Sequence, residues 1–340
     1  MTNNLPMITG IGYAIPERIV TNNDLTGLYE TSDEWIYSRT GIKERHIFGS
    51  DAEAFDLLQK ACNQAVKNAG INPEELDLII AATSMPVQLM PTMSCTAQKL
   101  LNIQKNVPAF DISVACTGFV YGLDIASAYI KSGIYKNILL ITLDNCSRYL
   151  DWSDRRTSIL FGDGIGAAVI SAGNENDILA IDIKADGKVG DYITLPAAKG
   201  NCPFVDQTPT PQLLAMKGQD VYKFVANIIP SYISDDILAA NNISADDVDY
   251  LILHQANQRI IKAVQERLEY QDDKVISNIE YLGNTSASSI LIAMGEAIKD
   301  GKVKTPANAI ICGFGAGMCW GGGVIHLRNG IFKQENIFQK

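Results

Sequence analysis

The sequence predicts an α/β protein built from two related halves, and three observations carry that prediction. Short apolar runs alternate with stretches whose apolar residues recur at three- and four-residue spacing, as strands alternating with helices do. Residues 71–80 (INPEELDLII) read like residues 243–252 (ISADDVDYLI), and further matches follow in the same order. Matches kept in order at a nearly constant offset point to a duplication. No low-complexity linker divides the chain, so the halves, residues 1–175 and 176–340, are expected to pack as one body.

Along the chain, residues 77–82, 109–113 and 137–142 read as buried strands of the first half. Between the last two, Phe119, Val120, Leu123, Ala126 and Ile130 share one helical face, and Gly133 ends that helix. In the second half, residues 249–254, 275–279 and 308–313 read as strands. Residues 307–327 contain no Asp, Glu, Lys or Arg, but six glycines break them into strand–turn–strand, so no membrane span is expected. The repeat pairs Cys116-Thr117 with Asn284-Thr285 and Asn137 with Asn308. It thereby puts Cys116 and Asn284 at equivalent strand-to-helix turns, which a pseudo-two-fold axis would bring face to face.

The 340 residues are 47% hydrophobic and 19% charged, which excludes intrinsic disorder. A net charge of −10 argues against a nucleic-acid partner. Residues 1–4 hold no cation and no apolar core, so no secretory peptide is expected. The cysteines (Cys62, Cys95, Cys116, Cys146, Cys202, Cys312 and Cys319) show no CxxC pair and no metal-ligand spacing. Reduced thiols, a cytoplasmic location and no metal are expected from that.

Four places invite chemistry. Cys116, at a helix N-terminus, would feel the macrodipole, which favours a thiolate; a buried structural cysteine is the other reading. His254 ends an apolar strand, where open α/β sheets bind ligands, and a hydrogen-bonded core histidine fits equally well. His46 and His326 read as structural. Asn284 reads as a helix cap with a second role left open. Residues 313–317 (GFGAG) have the backbone freedom to set N–H groups around an oxyanion.

Together these motifs resemble the β-ketoacyl-acyl-carrier-protein synthase III family of the thiolase superfamily. The resemblance is carried by Thr31-Ser-Asp-Glu-Trp-Ile36, Arg39-Thr-Gly-Ile42, Asp111-Ile-Ser-Val-Ala-Cys-Thr-Gly-Phe119, Phe161-Gly-Asp-Gly164, Met216-Lys-Gly218, His254-Gln-Ala-Asn257, Gly283-Asn-Thr-Ser286 and Gly313 to Trp320. It implies a duplicated thiolase-like fold, five-layered αβαβα with two pseudo-two-fold-related halves, in a homodimer. It implies a decarboxylating Claisen condensation of an acyl-CoA primer with malonyl-acyl carrier protein, initiating fatty acid biosynthesis, with no permanently bound cofactor. Cys116 would be the nucleophile, His254 and Asn284 would complete the triad, and the N–H groups of Cys116 and Ala316 would form an oxyanion hole. Trp35 and Arg155 would sandwich the adenine of CoA, Arg39 would meet its phosphates, and Gly218 and Asn257 would line the pantetheine tunnel. Without the resemblance, Trp35 reads as a surface helix anchor.

Three departures from the family pattern bear on substrate and partner. Met90 stands where many members have Phe at the end of the acyl pocket, lent across the dimer. Arg156 follows Arg155 where a small residue is common. Glu266 replaces a Lys of the carrier-docking helix, leaving Arg259, Lys262 and Arg267. Met90 and Arg156 keep open an alternative, a relative in specialised metabolism of polyketide or quinolone type with a non-acetyl primer. A non-catalytic subunit of the same fold would be expected to lack a triad residue, and all three are present.

Overall fold

The computed structural model describes residues 4–198, 204 and 211–333, so Cys202 lies outside the described residues. One sheet joins β1 (Leu5–Ala14), β2 (Leu78–Ala82), β3 (Ala109–Ile112), β4 (Asn137–Asp144) and β5 (Gly164–Gly173) in the order β1-β5-β4-β2-β3. The other joins β6 (Ile178–Ala185), β7 (Tyr250–Leu253), β8 (Ala307–Gly315) and β9 (Cys319–Leu327) in the order β6-β9-β8-β7. Pairing senses match strand for strand. The β4–β2 and β8–β7 pairs are parallel, whereas β5 and β9 run antiparallel to both of their neighbours. The duplication is therefore written in the topology as well as in the sequence.

The strand expected at residues 275–279 is reduced to one parallel bridge between Leu251 and Val275, and Ile279–Leu282 is helical. A side chain takes the place of a neighbouring strand there. The Gln255 carboxamide accepts from Ser277 Oγ at 2.7 Å and from Asn278 N at 3.2 Å, so this backbone needs no further ladder.

Among the helices of the outer and central layers are α1 (Asp33–Thr40), α2 (Asp51–Ala69), α3 (Gly118–Lys131), α4 (Gly218–Ser231), α5 (Gln258–Arg267) and α6 (Ser289–Lys299). Ser32 and Ser50 cap the first two by accepting from Trp35 N and Glu53 N. The apolar clusters define the layers. Leu58, Cys62 and Val66 of α2 cover one face of the first sheet, with Ile79 and Ile141. Phe119 and Leu123 of α3, with Ile290 and Met294 of α6, fill the space between Ile80 of one sheet and Ile311 of the other. Val225 of α4 and Ile261 of α5 cover the outer face of the second sheet, against Leu253 and Val324. Five layers result. No helix among the described residues is long and apolar enough to cross a membrane.

A short 3-10 turn, Ala115–Thr117, leads into α3, and its counterpart Ser286–Ser288 leads into α6. Ala115 and Ser286 both take the left-handed backbone, with φ of 47° and 51°. These landmarks share the register that relates Asn137 to Asn308, so Cys116 corresponds to Ala287. The expected equivalence of Cys116 with Asn284 is corrected by three residues, because the short helix before Gly283 has no counterpart ahead of Cys116. The two turns still meet. A Cβ built on Gly118 would lie 2.8 Å from Ala82 Cβ and 2.9 Å from Ala287 Cβ. Gly118→Val is expected to lower the unfolding free energy in urea by about 1–3 kcal/mol, the usual cost of overpacking; an unchanged denaturation midpoint would contradict that contact.

Candidate active site

A cavity of about 1240 Å³ runs from the surface to the turns at the seam, and Cys116, His254, Asn284 and Phe314 all line it. Cys116 sits half-buried. The end of β8 runs hard against it, since a Cβ on Gly313 would lie 3.1 Å from Cys116 O and one on Gly315 3.0 Å from Cys116 N. A side chain at either position would press on the cysteine, so the two glycines let the strand pass closely and bring Ala316 to the cavity wall. The Cys116 Sγ is 3.3 Å from Ser286 Oγ. Burial pushes the thiol up to about 12, the Ser286 contact opposing and the Asp144 carboxylate adding to the rise. Loss of hydration thus acts against the thiolate that the helix macrodipole favours.

His254 follows β7, its N–H donating to Cys312 O at 2.8 Å. The ring is 1% exposed and stands edge-on to Phe314 at 5.3 Å. Burial lowers its pKa to about 3, so the ring is neutral. Nδ1 lies 2.7 Å from Ser289 Oγ, which itself accepts from Gln255 N at 3.3 Å. With the Ser289 hydroxyl donating to Nδ1, the neutral ring carries its proton on Nε2.

Asn284 is clipped to the first half of the chain: its N–H donates to Leu160 O at 2.9 Å and its carbonyl accepts from Gly162 N at 3.0 Å. Its Oδ1 accepts from Ser286 N at 2.9 Å, an Asx turn, so the two Nδ2 hydrogens remain for the cavity. Ser286 and Ser289 are functional neighbours that the sequence reading missed. In a Ser-Ala-Ser-Ser run just before a helix, they look like ordinary caps.

At the mouth, Trp35 on α1 has the Arg39 guanidinium 4.1 Å and the Arg155 guanidinium 4.7 Å from its ring centroid. Arg156, Lys217 and Arg259 also line the mouth, giving a cationic rim on an acidic chain. Gly218, the first residue of α4, forms part of the same wall. Asn257 caps α5, accepting from Arg259 N at 2.8 Å and donating to Arg39 O at 3.2 Å.

Comparisons with known proteins agree with this layout. Residues 110–187 match the family model for 3-oxoacyl-[acyl-carrier-protein] synthase III, and residues 238–327 match the model for its C-terminal part. The chain is 44% identical to the β-ketoacyl-[acyl-carrier-protein] synthase III of Nostoc sp., over 93% of this chain and 96% of that one. The chain belongs to the β-ketoacyl-[acyl-carrier-protein] synthase III family. Among solved structures, the 3-oxoacyl-[acyl-carrier-protein] synthase III of Aquifex aeolicus superposes with a TM-score of 0.86 at 39% identity, covering 95% of this chain and all of that one. The priming β-ketosynthase of the R1128 polyketide pathway gives 0.88 at 28% identity, covering 95% and 96%.

Beyond Cys116, His254 and Asn284, the residues expected from the family pattern have varied surroundings. Met90 is 88% exposed beside Leu89, which is 71% exposed, and neither lines the cavity of its own chain among the described residues. Arg156 is held by Asp154, with Nε 2.9 Å from Oδ1. Arg259 donates to Ser38 O at 2.9 Å, Lys262 lies 3.9 Å from Glu266, and Arg267 donates to the Ala226 carbonyl. His46 and His326 bond Pro16 O and Asn308 Oδ1, away from the cavity.

The buried ring sets a pH dependence. A histidine in the unfolded chain titrates near 6.5, whereas folded His254 titrates at about 3. Between those values only the unfolded chain takes up this proton, so the stability His254 contributes above about pH 6.5 is lost as the pH falls toward 3. The urea unfolding free energy of wild type minus that of His254→Gln is expected to fall across this window, by at most about 1.4 kcal/mol per pH unit. A difference that stays constant would contradict a neutral buried ring.

Proposed function

We propose that the chain joins an acyl-CoA primer to malonyl-acyl carrier protein with loss of CO₂, the first condensation of fatty acid biosynthesis. The observation that carries this reading is the pair of neutral donors beside Cys116. His254 has Nδ1 engaged by Ser289, and Asn284 has Oδ1 engaged by Ser286, which turns Nε2–H and Nδ2–H₂ toward the cavity. In the first step the Cys116 sulfur attacks the primer thioester. CoA leaves as the thiol, carrying the proton the cysteine gave up, and an acyl-cysteine remains. The malonyl thioester then loses CO₂, and the enolate oxygen takes hydrogen bonds from His254 and Asn284. Its carbon attacks the acyl-cysteine, whose oxyanion is met by the N–H groups of Cys116 and Ala316, and the cysteine sulfur departs. A carboxylate in place of either donor would oppose the enolate.

The cationic rim supports Trp35, Arg39 and Arg155 as the CoA nucleotide site, with Gly218 and Asn257 along the pantetheine. Arg155 and Arg39 already lie over the indole, so adenine would replace one guanidinium contact by stacking. Exposure of Leu89 and Met90 supports a homodimer in which Met90 closes the partner's acyl pocket. Arg259, Lys262 and Arg267 remain the proposed carrier-docking residues, residues 1–175 and 176–340 the proposed halves, and the cytoplasm the proposed location. Similarity to β-ketoacyl synthase III relatives above 40% identity favours this function over specialised metabolism.

Incubation with a panel of acyl-CoAs, followed by intact mass, tests the reading. A short acyl adduct is expected on wild type, absent from Cys116→Ala and discharged by malonyl-acyl carrier protein. No adduct from any donor would sink it.

A further inference from the structure

We propose that Arg45 is a positioning residue for the condensation step: from behind the cavity wall its guanidinium holds the Ile159 carbonyl, and with it the backbone clip that aims the Asn284 carboxamide. The proposal rests on Asn284 being a donor to the enolate. Arg45 lies opposite Val20 in the hairpin formed by Arg18–Thr21 and Glu44–Ile47, and it is fully buried. Ile159, Leu160 and Phe161 line the cavity, and the Arg45 side chain meets this wall at Ile159. Burial lowers its pKa to about 10, which leaves it a cation at neutral pH.

Three segments meet at this one group. Nη1 donates to Val20 O at 3.1 Å, and Nη2 donates to Asn22 Oδ1 and to Ile159 O, each at 2.9 Å. These acceptors are neutral, and Nε has no partner among the described residues. A buried cation held by neutral oxygens is a costly way to fill space. What the guanidinium adds is a planar fork of donors, which fixes three oxygens relative to one another. Asn22, also buried, carries the link on to the mouth. Its Nδ2 donates to Asp33 Oδ1 at 2.8 Å, at the start of α1, and to Ile42 O at 2.7 Å, just past its end.

The Ile159 carbonyl is one residue away from the contacts that place Asn284. Leu160 O accepts from Asn284 N at 2.9 Å and Gly162 N donates to Asn284 O at 3.0 Å, an isolated parallel bridge centred on Phe161. The Arg45 stem packs against both sides of this clip, since a Cβ built on Gly162 and one built on Gly283 would each lie 3.2 Å from Arg45 Cβ. The next residue of the hairpin holds the far end of the wall, His46 O accepting from Asp163 N at 2.7 Å. The segment from Ile159 to Asp163 is thus anchored at two consecutive hairpin residues. Cys116 is placed by other neighbours, Ser286 and the close backbone of Gly313 and Gly315. Loss of the Arg45 fork is therefore expected to disturb the carboxamide and to leave the sulfur where it is.

The test separates the two half-reactions in Arg45→Met, which keeps an unbranched stem and loses the donors. Loading of Cys116 at saturating short acyl-CoA is followed by intact mass, and CO₂ release from malonyl-acyl carrier protein by a label in the malonyl carboxylate. Arg45→Met is expected to slow CO₂ release at saturating malonyl-acyl carrier protein by about tenfold or more, as a misplaced group does. The loading rate is expected to change by less than about twofold. On an Asn284→Ala background the same substitution is expected to slow CO₂ release little further, because it acts through that carboxamide. Arg45→Lys keeps the charge but replaces the fork by a point donor. It is expected to lie between wild type and Arg45→Met, and it decides the question where Arg45→Met does not fold. Loading and CO₂ release that fall together, as loss of folded protein would make them, overturn the proposal. So do unchanged CO₂ release in the folded variants and effects that multiply in full with Asn284→Ala. Asn284→Ala is also scored alone. Wild-type CO₂ release there removes the enolate-donor reading, whereas slow release there with normal release in the Arg45 variants removes the positioning role alone.

Discussion

Two helices begin at the same place, and the contact between their first turns constrains everything built around them. Gly118 opens α3 where Ala287 precedes α6, with no space for a Cβ on the glycine. Helix N-termini leave N–H groups without intrahelical partners, and burying two of them together would be costly if those donors stayed unpaired. The seam answers with acceptors. Asp144 takes N–H groups from Ser84, Met85 and Ala287, Asn284 takes that of Ser286, and Ser289 takes that of Gln255. A polar network so enclosed is rigid because each member is a partner of the next. Rigidity at the seam is what gives Cys116, His254 and Asn284 fixed directions at the end of one cavity.

Depth in that cavity separates two electrostatic regimes. At the bottom, burial suppresses charge: the His254 ring stays neutral and the Cys116 thiol is raised to about 12. Neutral donors there can strengthen their hydrogen bonds as negative charge grows on a substrate, without the repulsion a fixed anion would bring. At the mouth, Arg39, Arg155, Arg156, Lys217 and Arg259 face water, where a phosphate can meet them with little desolvation. Asp154 pairs with Arg156 and Asp191 with Lys217 at the rim, so on a chain of net charge −10 attraction toward the mouth is local and screened within about 10 Å at ordinary salt.

How much of the fold and the site was legible in the sequence depends on what kind of signal each feature leaves. Strands such as Leu78–Ala82 and Asn137–Asp144 are unbroken apolar runs, and α3 carries its period in Phe119, Leu123 and Ile130, so the elements and their duplication could be read directly. The family motifs marked Cys116, His254 and Asn284 as candidates, and all three line one cavity. The repeat register slipped by three residues because Cys-Thr resembles Asn-Thr, whereas the true landmark, a left-handed residue, is Ala115 in one half and Ser286 in the other. Nothing in an Ala or Ser announces a positive φ. The bridge at Val275 was overread as a strand because the residue that satisfies the next turn, Gln255, is 22 positions from Ser277 in sequence. Asp144 was invisible for a similar reason: an Asp ending an apolar strand reads as a solvated turn until its donors are seen together.

The corrected register also explains how one fold unit came to do two jobs. At the position of Cys116 the second half carries Ala287, and at the position of Gly118 it carries Ser289. A second cysteine in place of Ala287 would put a larger side chain into the contact with Gly118, which already has no spare volume. Gly118 makes room for the methyl of Ala287, and Ser289, whose hydroxyl bonds His254 and Gln255 of its own half, holds the His254 ring. The room left by one residue and the hydroxyl supplied by its counterpart are complementary, so neither half could take the other's residues without losing either the close contact or the orientation of His254. A symmetric scaffold thus supports an asymmetric site because the seam has space for only one nucleophile, and the remaining equivalent positions are occupied by the groups that orient its partners.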